Sequence, residues 1–256
     1  MKDEEEAVYQ DFAEVYDYFY QRIEDINFYV EQAKKFGSPI LELACGTGRV
    51  LLEIAKKGFA ITGLDMSDAM LNILRKKLEK ENENVQKNVD IVKGDMRNFA
   101  LDRKFNLIIV PFSSIVHLLT LDDALKAFKC VYNHLNKDGA FIFDTFTPNL
   151  ELLAKKRRVE FDIRDIDGNG TLAFWEVASY DLTNQLITVK RYGFVETDNR
   201  KKKFMWRFKI RYWFKSELEL LLKLAGFGNI AVFGGFDLRP YCYESGMTLF
   251  IAKIIP

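Results

Sequence analysis

A short apolar segment that runs into a two-glycine turn is the part of this sequence best suited to hold a ligand. It reads Leu41-Glu42-Leu43-Ala44-Cys45-Gly46-Thr47-Gly48-Arg49. Gly46 and Gly48 lack the Cβ that would keep a ligand from the backbone or disfavour a positive φ, and the helix expected next presents free N–H groups. The pattern predicts a nucleotide-type pocket, although a tight strand-to-helix turn without a ligand would have the same features.

An acidic residue follows the next predicted strand. That strand covers residues 60–64 and ends at Asp65, where nucleotide folds use an acid to hold a ribose, and its carboxylate can accept both hydroxyls. The alternative is that Asp65 adds a second cap to the helix whose expected N-cap is Ser67. A third strand over 89–93 then leads to Asp95 and Met96.

A histidine follows the fourth predicted strand, which covers residues 105–110. The strand is almost entirely apolar, as expected where helices cover both faces of a parallel sheet. It continues into Pro111-Phe112-Ser113-Ser114-Ile115-Val116-His117-Leu118. His117 is the leading candidate for a general base, because a pKa near neutrality lets imidazole accept a proton from an acceptor within hydrogen-bond reach. The alternative is a histidine that only orders its own loop.

Two further polar residues have less specific positions. His134 lies near the end of a helix predicted over 121–135 and is expected to cap it. Asp138-Gly139 is expected to turn the chain into a fifth strand over 140–143, which ends at Asp144. Asp144 would either orient a substrate at the ligand-binding edge of the sheet or cap the next turn.

The phrase Glu-Leu-Ala-Cys-Gly-Thr-Gly and the order of the later motifs resemble class I S-adenosylmethionine-dependent methyltransferases. A dinucleotide-binding dehydrogenase would instead need a small third residue where this chain has Leu51. The resemblance implies S-adenosyl-L-methionine as cofactor, with S-adenosyl-L-homocysteine as product. It also implies an α/β fold with a seven-stranded Rossmann-like sheet in the order 3-2-1-4-5-7-6, the last strand antiparallel. It covers residues 40–150 by motif and 215–254 by topology.

The same resemblance implies a set of site residues. Asp95 is expected at the adenine amino group, with Met96 beside the ring. The segment Ser-Ser-Ile-Val-His-Leu resembles that of methyltransferases acting on amino sugars, in which the histidine, here His117, is proposed to accept a proton from the substrate amine. The implied cofactor-binding residues are Tyr16, Glu42, Ala44, Cys45, Gly46, Gly48, Asp65, Met66, Asp95, Met96 and Phe112.

The N-terminal segment 9–19 resembles the lid helix common in this family, Phe-Ala-x-x-Tyr-Asp, in which tyrosines close over the cofactor. Tyr16 is the main candidate for that role. Tyr9 joins His117 as a catalytic candidate, because an upstream tyrosine reaches the acceptor in the amino-sugar enzymes. The alternative is that these aromatic residues anchor a terminal helix to the core.

The helical pattern gives way to four extended runs, 159–166, 171–180, 186–196 and 202–214, separated by turn residues. In the last run, aromatic and basic residues alternate, which places the aromatic side chains on one face. We therefore expect an antiparallel meander, inserted as a cap (155–214) between two parts of the cofactor-binding core (1–154, with the lid helix, and 215–256). A plain extension of the main sheet is the alternative. A capping box over 216–219 is expected to restart the helical core.

Composition limits the remaining possibilities. A chain of 256 residues with 48% hydrophobic content can bury one sizeable core plus an inserted subdomain. Lys and Arg number 37 against 37 Asp and Glu, so no global field attracts nucleic acid or an anionic membrane. The three scattered cysteines match neither a disulfide framework nor a zinc motif, and no metal is expected. Without a signal peptide or long apolar run, we expect a cytoplasmic protein.

The sequence therefore predicts a methyltransferase that acts on a nitrogen or oxygen of a small molecule, by in-line displacement at the sulfonium methyl. Two alternatives remain: a tRNA or rRNA methyltransferase that uses the basic clusters 155–158 and 200–203, and a module that binds the cofactor without catalysis. A monomer and a homodimer fit the sequence equally well.

Overall fold

The main sheet has seven strands in the order β3-β2-β1-β4-β5-β11-β10. The computed structural model describes residues 12–20, 24–166, 170–197 and 200–254. The strands of this sheet are β1 (Ile40–Leu43), β2 (Ile61–Asp65), β3 (Val89–Lys93), β4 (Phe105–Val110), β5 (Leu135–Phe146), β10 (Phe227–Phe233) and β11 (Met247–Ile254). Strands β1 to β5 pair in parallel, whereas β11 is antiparallel to both of its neighbours. The predicted order, with its antiparallel last strand, is confirmed.

Helices cover both faces of this sheet. The helices of the described residues are α1 (Ala13–Phe19), α2 (Glu24–Phe36), α3 (Arg49–Lys56), α4 (Asp68–Leu78), α5 (Glu83–Lys87), α6 (Leu121–His134), α7 (Leu150–Leu153) and α8 (Lys215–Ala225). Of these, α1 and α7 pack against the second sheet instead. Alternate residues of β4 pack into two separate cores, Leu107 on one face and Ile108 on the other, which explains why that strand is apolar except at Asn106. No helix in the described ranges is long and apolar enough to cross a membrane.

A second sheet lies between α7 and α8. It is an antiparallel meander of β6 (Arg157–Asp165), β7 (Gly170–Asp181), β8 (Leu186–Thr197) and β9 (Arg200–Arg211). It is hydrogen-bonded separately from the main sheet, so the alternative of a plain extension was wrong. Its inner face packs against α1, where the ring of Phe12 stacks on Trp206 with centroids 3.9 Å apart. The helix α1 therefore contributes to the core of the meander.

Strand β5 is longer than predicted, because Asp138 and Gly139 lie inside it rather than in a turn. A Cβ on Gly139 would lie 2.9 Å from the carbonyl oxygen of Asn106 and 3.0 Å from that of Asn136. The pairing of β4 with β5 is also irregular near this point. The glycine thus permits a close backbone approach at an irregular part of the ladder. The same Asp-Gly pattern is also typical of a turn, so the sequence alone does not distinguish the two.

Helix α8 begins earlier than the predicted capping box. Phe214 is the N-cap, and its N–H donates to Glu217 Oε2 at 2.9 Å. Glu219 pairs with Lys215 instead, at 2.6 Å. The aromatic alternation expected to reach residue 214 also stops at the end of β9, since Trp213 is buried in the main core.

Candidate active site

A cavity of about 1030 Å³ lies between the carboxyl edge of the main sheet and the inner face of the meander. Most of the residues predicted for the cofactor site are on its wall, together with His117. The predicted cofactor-site residues on the wall are Tyr16, Ala44, Gly46, Asp65, Met66, Asp95, Met96 and Phe112. Glu42, Cys45 and Gly48 are not on the wall, and Tyr9 lies outside the described residues.

The two glycines of the turn have different structural roles. Both have a positive φ, +54° at Gly46 and +81° at Gly48. A Cβ on Gly46 would meet no atom within 4 Å, whereas a Cβ on Gly48 would lie 2.2 Å from Cδ1 of the buried Leu74. Gly46 therefore leaves space for a ligand on the cavity side, and Gly48 lets α4 pack against the turn. This is why only the first glycine lines the cavity.

Asp65 ties the glycine turn to the start of α4. Its Oδ2 accepts from the N–H of Gly46 at 2.9 Å, and its Oδ1 accepts from the N–H of Ser67 at 2.8 Å. Burial raises the pKa of Asp65, while these backbone N–H groups act in the opposite direction. A carboxylate offers about four acceptor directions, so capacity remains for ligand hydroxyls. Asp65 therefore both accepts from the N–H at the start of α4 and lines the cavity.

Asp95, the residue predicted for the adenine amino group, is held by its neighbour Arg97. The guanidinium donates to the carboxylate from Nε at 2.9 Å and from Nη2 at 2.8 Å. The backbone N–H of Arg97 also donates to Oδ1 at 2.9 Å. Arg97 lines the same cavity, and the sequence analysis did not identify it. The pair fixes the orientation of the carboxylate at this end of the cavity.

Glu42 and Arg49 lie close to the glycine turn without lining the cavity. Glu42 is buried, and burial raises its pKa well above the usual range, with the charge of Arg49 acting in the opposite direction. Arg49 Nη1 donates to Asp25 at 2.7 Å, and its guanidinium lies 4.9 Å from the centroid of the Phe112 ring. Cys45 is also buried, which raises the pKa of its thiol. We infer that these residues stabilise the glycine turn from the side that does not face the cavity.

His117 ends a 3₁₀ turn (Ser114–His117) that forms part of the cavity wall. Its ring centroid lies 6.4 Å from that of Phe208 on β9. Burial lowers the pKa of His117 to about 4, which corrects the expectation of a pKa near neutrality. The imidazole is therefore neutral at neutral pH and able to accept a proton, but it is a weaker base than an exposed histidine.

Asp144 holds the loop that precedes this turn. Its Oδ1 accepts from Tyr29 Oη at 2.8 Å and from the N–H of Phe112 at 2.8 Å, and its Oδ2 accepts from the N–H of Ser113 at 2.8 Å. Phe112 and Ser113 both have left-handed backbones, with φ of +59° and +56°, a conformation that costs about 1–2 kcal/mol per residue. The buried carboxylate therefore stabilises the loop after β4, rather than the turn after β5 that the sequence suggested, and its role towards a substrate stays a prediction.

The meander side of the cavity contains a buried charged cluster that the sequence analysis missed. Arg191 Nη1 donates to Tyr20 Oη at 2.9 Å, and Arg191 Nε donates to Glu176 Oε2 at 3.0 Å. Arg158 Nη2 donates to Glu176 Oε1 at 2.9 Å. All four side chains line the cavity. The sequence did contain a signal for this cluster. Glu176 and Arg191 each interrupt a row of mainly apolar residues at alternate positions of a strand, and buried charges are rare.

Helix α1 contacts both halves of the cavity wall. Thr47 Oγ1 in the glycine turn donates to Asp17 Oδ1 at 2.7 Å, and Lys77 Nζ lies 2.6 Å from Asp17 Oδ2. Tyr16 lines the cavity, and burial raises the pKa of its phenol, which therefore stays protonated. Tyr20, which follows the helix, packs edge-on against the ring of Phe112 with centroids 4.9 Å apart.

His134 has a structural role away from the cavity. Its Nε2 accepts from the N–H of Leu101 at 3.1 Å, so the proton is on Nδ1, which lies 2.7 Å from the carbonyl oxygen of Cys130. The imidazole also packs against Phe99, with centroids 4.5 Å apart. It joins the end of α6 to the loop before β4.

Comparisons with known proteins find similarity to methyltransferases. Residues 40–139 match the family model described as a methyltransferase domain. A putative methyltransferase of Bacillus subtilis, YqeM, is 31% identical over 140 residues, which are 54% of this chain and 55% of the relative. The chain spans about half the length of the curated relatives it matches.

Two further matches are from Streptomyces venezuelae. One is a dTDP-3-amino-3,4,6-trideoxy-alpha-D-glucopyranose N,N-dimethyltransferase, 32% identical over 142 residues, which are 52% of this chain and 56% of the relative. The crystal structure of DesVI superimposes with a TM-score of 0.76 at 26% identity, covering 96% of this chain and 99% of that chain.

The two glycines provide a matched test of the turn. Gly46→Val is expected to abolish binding of S-adenosylmethionine, since its side chain enters the cavity, and to lose stability only through the strain of a β-branched residue at positive φ. Gly48→Val has a similar backbone strain but also displaces Leu74, so it should lower the free energy of unfolding by about 1–3 kcal/mol more. Calorimetry and denaturant unfolding measure the two effects. Normal binding by Gly46→Val would show that the turn is only structural.

Replacement of Asp144 tests the support of the His117 loop. Asp144→Asn places an amide donor among N–H and O–H donors, so we expect a loss of about 1–3 kcal/mol in the free energy of unfolding. The control is Thr145→Val at the next, equally buried position, where Oγ1 has no hydrogen-bond partner among the described residues, and stability should change little. Equal unfolding midpoints for the two variants would contradict the assigned role.

Proposed function

We propose that this chain is a class I S-adenosylmethionine-dependent methyltransferase and that it methylates an amine nitrogen of a small, amino-sugar-like molecule. The observation that carries the proposal is that one cavity joins both halves of the site. Gly46 and Asp65 are at one end, Arg191 and Glu176 are at the other, and His117 is on the wall. A cavity of this size can hold the cofactor and a small acceptor together.

The residues of the cofactor end fit S-adenosylmethionine. The space above Gly46 admits a ligand to the backbone, and Asp65 retains acceptor capacity for ribose hydroxyls. Asp95 and Met96 would hold the adenine, and Tyr16 would cover the cofactor from α1. The bound cofactor supplies an electrophilic methyl group on a sulfonium.

The acceptor end supports an amine or hydroxyl substrate. Tyr20 and the Arg158–Glu176–Arg191 cluster offer donors and acceptors to polar groups, and the rest of the wall is largely apolar. The curated Streptomyces relative is by name an N,N-dimethyltransferase of a nucleotide-linked amino sugar, which supports nitrogen as the acceptor atom. Alignment of two bound reactants supplies about 7–11 kcal/mol in favourable cases.

His117 would accept the proton that the acceptor amine loses. The neutral imidazole that burial maintains is ready to do so at physiological pH. A general base of this kind contributes about 10²–10⁴-fold to the rate. The proton leaves only as the nitrogen acquires positive charge, because the amine attacks in its neutral form.

An acceptor panel tests the proposed function. We expect release of S-adenosylhomocysteine with amino sugars or nucleotide-linked amino sugars, and much slower release with phenols, carboxylates or RNA. The control is Gly46→Val, which should show no release with any acceptor. Preferential methylation of RNA would replace this function with the alternative one. Cofactor binding without turnover on any of these acceptors would favour a module without catalysis.

The chain has two histidines, which allows a paired test of the base. His117→Ala should leave cofactor affinity nearly unchanged and lower kcat by about 10²–10⁴-fold. His134→Ala leaves the N–H of Leu101 without its acceptor, so it should lower stability without changing kcat of the folded enzyme. Steady-state kinetics and unfolding measure both. A fall of less than about tenfold in His117→Ala would leave catalysis to positioning.

The lowered pKa of His117 also predicts two pH effects. The pH profile of kcat/KM should have no histidine inflection near the ordinary value of about 6.5, because the base form persists down to about pH 4. The unfolded chain binds this proton more readily than the native state, so stability falls as pH drops from about 6.5 towards 4. A limb near 6.5 that disappears in His117→Ala would contradict the buried, neutral imidazole.

A further inference from the structure

The charged cluster on the meander side of the cavity contains more positive than negative charge. It consists of Arg158 on β6, Glu176 on β7 and Arg191 on β8, all on the cavity wall. Glu176 accepts from Arg158 through Oε1 and from Arg191 through Oε2, so two guanidiniums share one carboxylate and one positive charge is in excess. Glu160 also pairs with Arg158, at 3.0 Å, but its side chain is 53% exposed, where water screens its charge.

Among the residues that the structure describes, no other acid on the cavity wall belongs to this cluster. The remaining carboxylates of the wall are those of Asp65 and Asp95. Asp65 accepts from the N–H of Gly46 in the glycine turn, and Asp95 accepts from Arg97. A partly buried charge without a counter-charge is unfavourable, because its surroundings screen it less than water does. An anionic group inside the cavity would therefore compensate the excess charge.

The guanidinium of Arg191 is held in place by the protein itself. Its central carbon lies 4.9 Å from the ring centroid of Phe19, 5.2 Å from that of Phe174 and 5.4 Å from that of Trp206, and such cation–π contacts fix its position. Its Nη1 donates to Tyr20 Oη at 2.9 Å, so the phenol accepts on this side and its own hydrogen is available to a ligand oxygen. The cluster is thus preorganised to donate hydrogen bonds.

Two aromatic rings on β9 connect the cluster with His117. The ring of Phe208 lies 6.4 Å from that of His117 and 4.0 Å from that of Trp206, between centroids, and the ring of Trp206 contacts Arg191. All four side chains line the cavity. An acceptor that reaches both His117 and Arg191 therefore lies along an apolar surface, which suits the carbon skeleton of a sugar ring.

We propose that Arg158 and Arg191, with Glu176 between them, form a subsite for an anionic oxygen group, a carboxylate or a phosphate, that the acceptor carries away from its amine. This inference rests on the proposed function, since it assigns the other end of the same acceptor. Forked guanidiniums suit both kinds of anion. An ammonium group would not suit the cluster, because both oxygens of Glu176 already accept from guanidiniums. The enzyme should therefore select amino sugars that carry an anion over neutral ones.

Binding of sugars that have no amine tests the subsite separately from methyl transfer. Calorimetry in the presence of S-adenosylhomocysteine compares glucuronate, glucose 1-phosphate and glucose. We expect at least one of the two anionic sugars to bind more tightly than glucose by about tenfold or more, as for a hydrogen bond between charged groups. The tighter of the two identifies the preferred anion. Equal affinities for all three sugars would refute the proposal.

Arg158 is the position for the test substitution, because its side chain is 30% exposed, against 12% for Arg191. Arg158→Gln removes the excess charge and should lower the affinity for the preferred anionic sugar by about ten- to a hundredfold. Arg158→Lys keeps the charge but not the fork, so it should lose less. The matched control is Arg157→Gln, the same change at the adjacent exposed residue, whose side chain points to the opposite face of β6. This control should bind like the wild type.

Circular dichroism and the affinity for S-adenosylhomocysteine establish that each variant is folded. Unchanged binding of the anionic sugar by folded Arg158→Gln, or an equal loss in Arg157→Gln, would contradict the subsite.

Turnover separates this inference from the proposed function. Amino sugars of the acceptor panel are compared with and without the preferred anion, and kcat/KM should be higher with the anion by about tenfold or more in the wild type but not in Arg158→Gln. Equal turnover of both forms would refute the subsite and leave the proposed function standing. Binding of the anionic sugar that depends on Arg158, without turnover of any amino sugar, would support the subsite and overturn the proposed function.

Discussion

Buried carboxylates at the carboxyl edge of the main sheet are the interactions on which the site depends. Parallel strands end here in loops whose N–H groups have no partner in the ladder, and each must be satisfied. Asp65 at the end of β2 accepts from the loop after β1, and Asp144 on β5 accepts from the loop after β4. In both cases the carboxylate reaches sideways to the neighbouring strand's loop. The same rule therefore shapes two parts of the wall of one cavity.

The strained backbone at Phe112 and Ser113 exists because of this support. Two consecutive left-handed residues without glycine are unfavourable by themselves, yet they direct the chain into the 3₁₀ turn that ends at His117. The same conformation brings the ring of Phe112 between Arg49 and Tyr20. Local strain is thus balanced by long-range hydrogen bonds, a combination common at functional sites.

The sequence predicted those parts of the molecule whose cause is local. The glycine turn and the meander followed from a short motif and two-residue alternation, whereas the strand order came from the resemblance to a known family. The role of Gly48 depends on Leu74, and the neutrality of His117 depends on packing against a distant sheet, so neither could be derived from neighbouring residues. The charged cluster around Glu176 unites three strands with the residue after α1. Asp95 and Arg97 are the exception, since a pair only two residues apart could have been anticipated.

The position of α1 has a thermodynamic consequence. Asp17 holds this helix to the glycine turn, while Phe12 holds it to the meander, so one rigid element borders the space for both ligands. A ligand at one end of the cavity that strengthens these contacts also orders the wall around a ligand at the other end. Such coupling is reciprocal by necessity: whatever factor the first ligand adds to the affinity of the second, the second adds to the first. Inhibition by a bound product and the mutual strengthening of substrate binding would then have the same coupling free energy.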